Sequence, residues 1–265
     1  MTHGILGRLM GAAVAFGGLS AAAVAAPIVG SSGGSFSHLS SCDVGDSCRI
    51  VGTSNGSNTQ VQWGSTSSYR DFQNPSTLTS VDVAINANTP ANDVVIAQLT
   101  WFNSATNQVN DLNTFYVDWT LQITFTSPVN DSQTQTFDLT ITNPTNPPGD
   151  TISGFSLADL SNLVFDLGDV TVSNLQYKVE SDGNSYLTED GHYVSTGRKK
   201  KDKTWVTTGY NWYNSENNWA TLYITADFSG PTTPPPSTEV PEPASLALLG
   251  TALIGLGVIR RRKAA

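Results

Sequence analysis

In FYVDWTLQITF, residues 115–125, every second side chain is apolar: Phe115, Val117, Trp119, Leu121, Ile123 and Phe125. Tyr116, Asp118, Thr120, Gln122 and Thr124 stand between them. A period of two puts these sets on opposite faces of an extended chain, so the stretch predicts a long strand with one face in a core. TFDLTI repeats the pattern with Phe137, Leu139 and Ile141, and NWATLYITADF with Ala220, Leu222, Ile224, Ala226 and Phe228. Further strands are predicted at Val61–Trp63, Leu78–Ile85, Val94–Phe102, Leu163–Leu167 and Val170–Val179. Turn-forming clusters such as SPVNDS, NPTNPPGD, SDGN and EDGH separate them. Helical character is confined to a short turn at Ser156–Leu163. Eight or more alternating strands predict an all-β, antiparallel β-sandwich, jelly-roll-like, formed as one domain over residues 26–228.

The two ends have another character. Arg8, the apolar run Leu9–Leu19 and the small-x-small triplet Ala23-Val24-Ala25 predict a secretory signal peptide over residues 1–25, removed by signal peptidase. Residues 229–240 open with SGPTTPPPST, an extended Pro/Thr linker. Then come Pro241-Glu242-Pro243, an apolar stretch at 244–259, and the cations Arg260, Arg261, Arg262 and Lys263. Sixteen apolar residues make a helix of about 24 Å, short of the ~30 Å hydrocarbon core. The basic end would hold on the cytoplasmic side.

Those three parts, in that order at the C-terminus, resemble the PEP-CTERM sorting signal. The resemblance implies processing by exosortase, export across the inner membrane of a Gram-negative bacterium, a membrane-inserted intermediate, and arrival at the cell surface or outside the cell. VQWG at 61–64 and LTWFN at 99–103 are similar to exported β-domains of the choice-of-anchor, THxN-like kind, with Trp101 where that signature carries His. That second likeness brings no site with it.

Charge narrows the partners. Without Arg8, Glu239, Glu242 and the Arg260–Lys263 cluster, 20 acids face 8 bases, a net charge of −12. Such a surface repels nucleic acid and excludes it as a partner. In an exported chain Cys42 and Cys48, spaced as CDVGDSC, predict a disulfide. Asp43 and Asp46 offer carboxylates to Ca²⁺, against the commoner use of Asp in turns; no other metal or cofactor is expected.

Candidate chemistry is sparse. Gly30-Ser31-Ser32-Gly33-Gly34 fits G-x-S-x-G without the strand before and helix after that an elbow needs. His38 and His192 suggest no triad, and no catalytic residue is assigned. GRKKKDK, with Lys199, Lys200 and Lys201, is the one cationic run in the acidic domain. GYNWYNSENNW sets Tyr210, Trp212 and Tyr213 among asparagines, a mixture of flat apolar faces and amides that suits sugar rings. If this segment is extended, one of Trp212 and Tyr213 is exposed. The expected role is a non-catalytic surface or matrix protein associated with exopolysaccharide; a carbohydrate-binding module and a hydrolase of extracellular polysaccharide are the competing classes.

Overall fold

The structure, a computed structural model, describes residues 27–41, 48–52, 59–64, 74–105, 114–144, 149–180, 183–195 and 203–230. Within them lie thirteen strands and one short helix: β1 (Ile28–Ser40), β2 (Cys48–Val51), β3 (Gln60–Trp63), β4 (Ser76–Val81), β5 (Val83–Ala87), β6 (Ala91–Asn103), β7 (Thr114–Ser127), β8 (Asp131–Thr142), β9 (Asp150–Ser156), α1 (Leu157–Ser161), β10 (Thr171–Glu180), β11 (Ser185–Ser195), β12 (Lys203–Asn214) and β13 (Asn218–Ser229). They form two antiparallel sheets, ordered β11-β12-β9-β8-β7-β1-β5 and β10-β13-β6-β4-β3-β2. β7, β8 and β9 are sequential neighbours, a meander rather than the strand interleaving of a jelly roll.

The predicted phase of β7 is the observed one. Its six odd-numbered apolar residues are all buried, and the even ones turn outward. There the Thr120 and Thr136 hydroxyls meet at 3.0 Å, as do those of Thr124 and Ser132, cross-strand pairs that reinforce the β7–β8 ladder. Between the sheets aromatic rings interlock. Trp63 packs on Phe115, Trp101 meets Trp212 edge-on at 5.1 Å, and Phe125 meets Phe228. The Trp119 indole N–H donates to Ser80 Oγ of the opposite sheet at 3.1 Å, satisfying a donor that burial would otherwise penalise. Gly34 of β1 lies against that bond, where an added Cβ would collide with both the indole nitrogen and Ser80 Oγ.

Two expectations need correction, and a third segment is placed for the first time. Leu78–Ile85 is two strands in different sheets: the chain crosses the sandwich at Asp82, which separates β4 from β5. Leu163–Leu167 is not a strand; Leu163 and Leu167 are buried anchors of an irregular link after α1. The Gly/Ser run at 30–34 lies inside β1, paired with β7 and β5, and Ser32 is buried. α1 is the predicted helical turn. Ser156 caps it, its Oγ accepting from the Ala158 and Asp159 amides.

The signal segment, Cys42 with Asp43 and Asp46, the 229–240 linker beyond Gly230, and the whole tail lie outside the described residues. Among the described residues no helix is long and apolar enough to cross a membrane. Cys48, at the start of β2, is buried.

Candidate functional site

The aromatic segment singled out in the sequence is the second half of β12, the turn after it and the start of β13. Alternation along β12 sends Tyr210 and Trp212 one way and Tyr213 the other. Trp212 is the correction: it is fully buried, edge-on to Trp101 and Phe155, with its indole N–H donating to Ser185 Oγ at 2.8 Å. Its register partners Leu187 and Ile152 lie on the core side as well. It therefore offers no face to a sugar. Tyr210 leans on the same core and meets Tyr177 edge-on. Tyr213 faces outward, half-buried, and stacks on the exposed Tyr186 at 4.7 Å. Burial, then the neighbouring Tyr186, Glu216 and Asp150, holds the Tyr213 phenol above its ordinary range. Trp219 is exposed on the other sheet, against Phe102. Lys199, Lys200 and Lys201 lie outside the described residues, in the segment joining β11 to β12.

β12 pairs with β9 only from Gly209 to Asn214. From Lys203 to Thr208 its described partner is β11 alone, so the two strands leave the sheet as a two-stranded arm. Tyr193 and Trp205 are opposite each other there, their rings 5.0 Å apart and nearly perpendicular. Tyr193 is 64% exposed and Trp205 40%. The Trp205 indole N–H and the Thr207 hydroxyl both donate to Glu189 Oε2, at 3.2 and 2.9 Å. These residues were not singled out in the sequence. The available signal was the near-symmetric placing of Tyr193-Val194 and Trp205-Val206 on either side of the lysine run.

At the opposite end of β12 a buried polar network ties the sheets together. Asn103 Nδ2 donates to the Asn214 carbonyl at 2.9 Å, Ser76 Oγ to Asn103 Oδ1, and Asn214 Nδ2 to the Asn218 carbonyl. Glu216, in the turn after β12, buries both carboxyl oxygens without a close hydrogen bond among the described residues. Burial pushes its pKa up to about 7. The Asn103 amide pulls the other way, and burial outweighs it.

His38 accepts no relay geometry. Asp118 at 2.6 Å and Ser37 Oγ at 3.4 Å both approach the same ring nitrogen, Nδ1, whereas a triad uses the two nitrogens separately. A polar groove of about 350 Å³ lies where the chain crosses at Asp82, lined by Gly33, Ser35, Thr120, Gln122 and Thr134 among others. No group of three or more His, Cys, Asp or Glu suited to a metal ion occurs among the described residues.

Residues 239–263 match the PEP-CTERM protein-sorting motif. This span holds Pro241-Glu242-Pro243, the apolar stretch and the Arg260–Lys263 cluster. No curated protein matches the chain.

Proposed function

We propose that this chain is a non-catalytic protein exported by a Gram-negative bacterium, sorted by exosortase, and carried to the cell surface or extracellular matrix, where its β-sandwich associates with exopolysaccharide. The sorting motif at 239–263 is the observation that carries the reading. A signal peptide ending at Ala25 supplies entry to the export route, and the apolar stretch 244–259 holds the chain in the membrane until the tail is processed. Pro241 and Pro243 keep the approach to the membrane extended, as a protease substrate must be. A hydroxyl- and amide-rich domain with few charges suits a hydrated polysaccharide matrix, and the Cys42–Cys48 disulfide would form in an oxidising compartment.

Processing has a direct readout. Mass spectrometry of material recovered from the cell surface is expected to find neither the residues before Ala26 nor Arg260–Lys263. An intact C-terminus in that material would replace the sorting-signal reading with that of a permanent anchor. Association with polysaccharide has its own. Changing Lys199, Lys200 and Lys201 together to alanine is expected to weaken co-sedimentation with an acidic exopolysaccharide and to flatten its dependence on salt, because exposed charges are screened over about 10 Å at 0.1 M ionic strength. Unchanged binding and unchanged salt dependence would remove the lysines from the interaction.

A further inference from the structure

We infer that the β11–β12 arm carries a sugar-binding corner, built from Trp205, Tyr193 and Glu189, that takes a neutral pyranose unit of a polysaccharide. The inference rests on the polysaccharide reading above and names its site. Alternation along β11 carries the core side of the strand, marked by Leu187, on to Glu189, Gly191 and Tyr193. Where β12 has left β9, the rings on that side reach the surface, Tyr193 and Trp205 both being exposed among polar neighbours.

Three features make the face a binding corner. Gly191 lets β12 and the indole come close, since an added Cβ would collide first with the Val206 carbonyl and also stand 3.0 Å from the ring of Trp205. The indole is then held by its N–H to Glu189 Oε2, so its orientation is set before any ligand arrives. Tyr193 stands nearly perpendicular as a wall. Among the described residues both donors use Oε2, which leaves Oε1 to accept from ligand hydroxyls. A pyranose presents an apolar C–H face to stack on the ring and hydroxyl edges for the carboxylate. An anionic sugar would meet Glu189 with the wrong sign. A second copy of the chain is a poor occupant: two partly exposed rings supply roughly 200 Å² of apolar surface, whereas a stable interface needs about 800 Å² from each partner.

Tryptophan emission reads the corner directly. Of the six tryptophans, Trp63, Trp101, Trp119 and Trp212 are buried, and only Trp205 and Trp219 reach the surface. Full-length protein in a sugar-free detergent is titrated with cellotetraose, whose equatorial hydroxyls leave both ring faces flat, and with a mannuronate tetramer as the anionic comparator. Cellotetraose is expected to shift the emission. Trp205→Ala and, separately, the more exposed Tyr193→Ala are each expected to weaken binding about tenfold or more in calorimetry, with the unfolding midpoint of Tyr193→Ala unchanged. Trp219→Ala should leave binding as it was. The site is overturned if cellotetraose produces neither heat nor an emission change, if Tyr193→Ala binds like the parent, or if, with Lys199, Lys200 and Lys201 changed to alanine, the mannuronate tetramer binds as well as cellotetraose. Binding of the parent to whole exopolysaccharide that survives in both arm variants would overturn the corner and keep the polysaccharide reading. Loss of that binding from the parent itself would remove the reading.

Discussion

Leu121→Asp is expected to prevent folding, while Gln122→Asp, one residue along the same strand, costs about 0.5–1 kcal/mol. Leu121 is 1% exposed in the middle of β7, between the buried Trp119 and Ile123, and Gln122 faces solvent. Losing the leucine forfeits its burial and leaves a cavity, typically about 2–5 kcal/mol. The aspartate adds a desolvated carboxyl with no counter-charge, a few kcal/mol more, even if it takes up a proton to escape. The sum reaches the whole stability of an ordinary domain, about 5–15 kcal/mol. The check is urea unfolding by circular dichroism: Leu121→Asp should lack a cooperative transition, and Gln122→Asp should keep a midpoint close to the parent. Equal damage from both would mean that β7 does not sort Leu121 and Gln122 onto opposite faces.

The stability of the domain is expected to fall between pH 4.5 and pH 7 through Glu216, and Glu216→Gln should remove that component. The unfolded chain gives up this proton near the ordinary glutamate value of 4.5, and the folded chain near 7. Between those values the folded state holds more protons, so raising the pH favours unfolding. Taken at about 1.4 kcal/mol per pH unit and discounted because Glu216 is only half-buried, the loss approaches about 1–2 kcal/mol by pH 8. Other groups add slopes of their own. Asp227 is held below the ordinary range by the Asp93 amide and Asn174, and Asp159 above it by burial. The difference between parent and Glu216→Gln cancels these. In urea unfolding from pH 4.5 to 8 the glutamine protein should gain steadily on the parent and level off above pH 7. A difference that stays constant across this range would show that Glu216 titrates normally.

Long strands that bury one face were readable in the sequence because burial on one side imposes a period of two, as in β7 and β13. The short helical turn at Ser156–Leu163 was readable, and α1 is found there. β1 was not. IVGSSGGSFSHLS has too few apolar residues to show a period, and it is a strand because β7 and β5 supply partners for its backbone. The break at Asp82 was equally hidden: the buried side changes from even positions (Leu78, Ser80) to an odd one (Ile85), and the apolar Val81 and Val83 bridge the change in the sequence. The candidate site divides the same way. That aromatics and cations cluster in residues 193–219 is visible in the chain. That Trp212 faces the core while Trp205 and Tyr193 face solvent is not, because neither carries a local mark of its surroundings.

The linear chain carries its own address and its class of fold. A sorting motif is read as a linear segment, and strand alternation is a property of neighbours along the chain. Tertiary structure decided which aromatic rings are available to a ligand and why Glu216 holds its proton. Both depend on which layer covers a residue, and that is set by strands far away in sequence: β9 stops pairing at Gly209 and leaves the arm open, and Asn103 lies beneath a turn more than a hundred residues later.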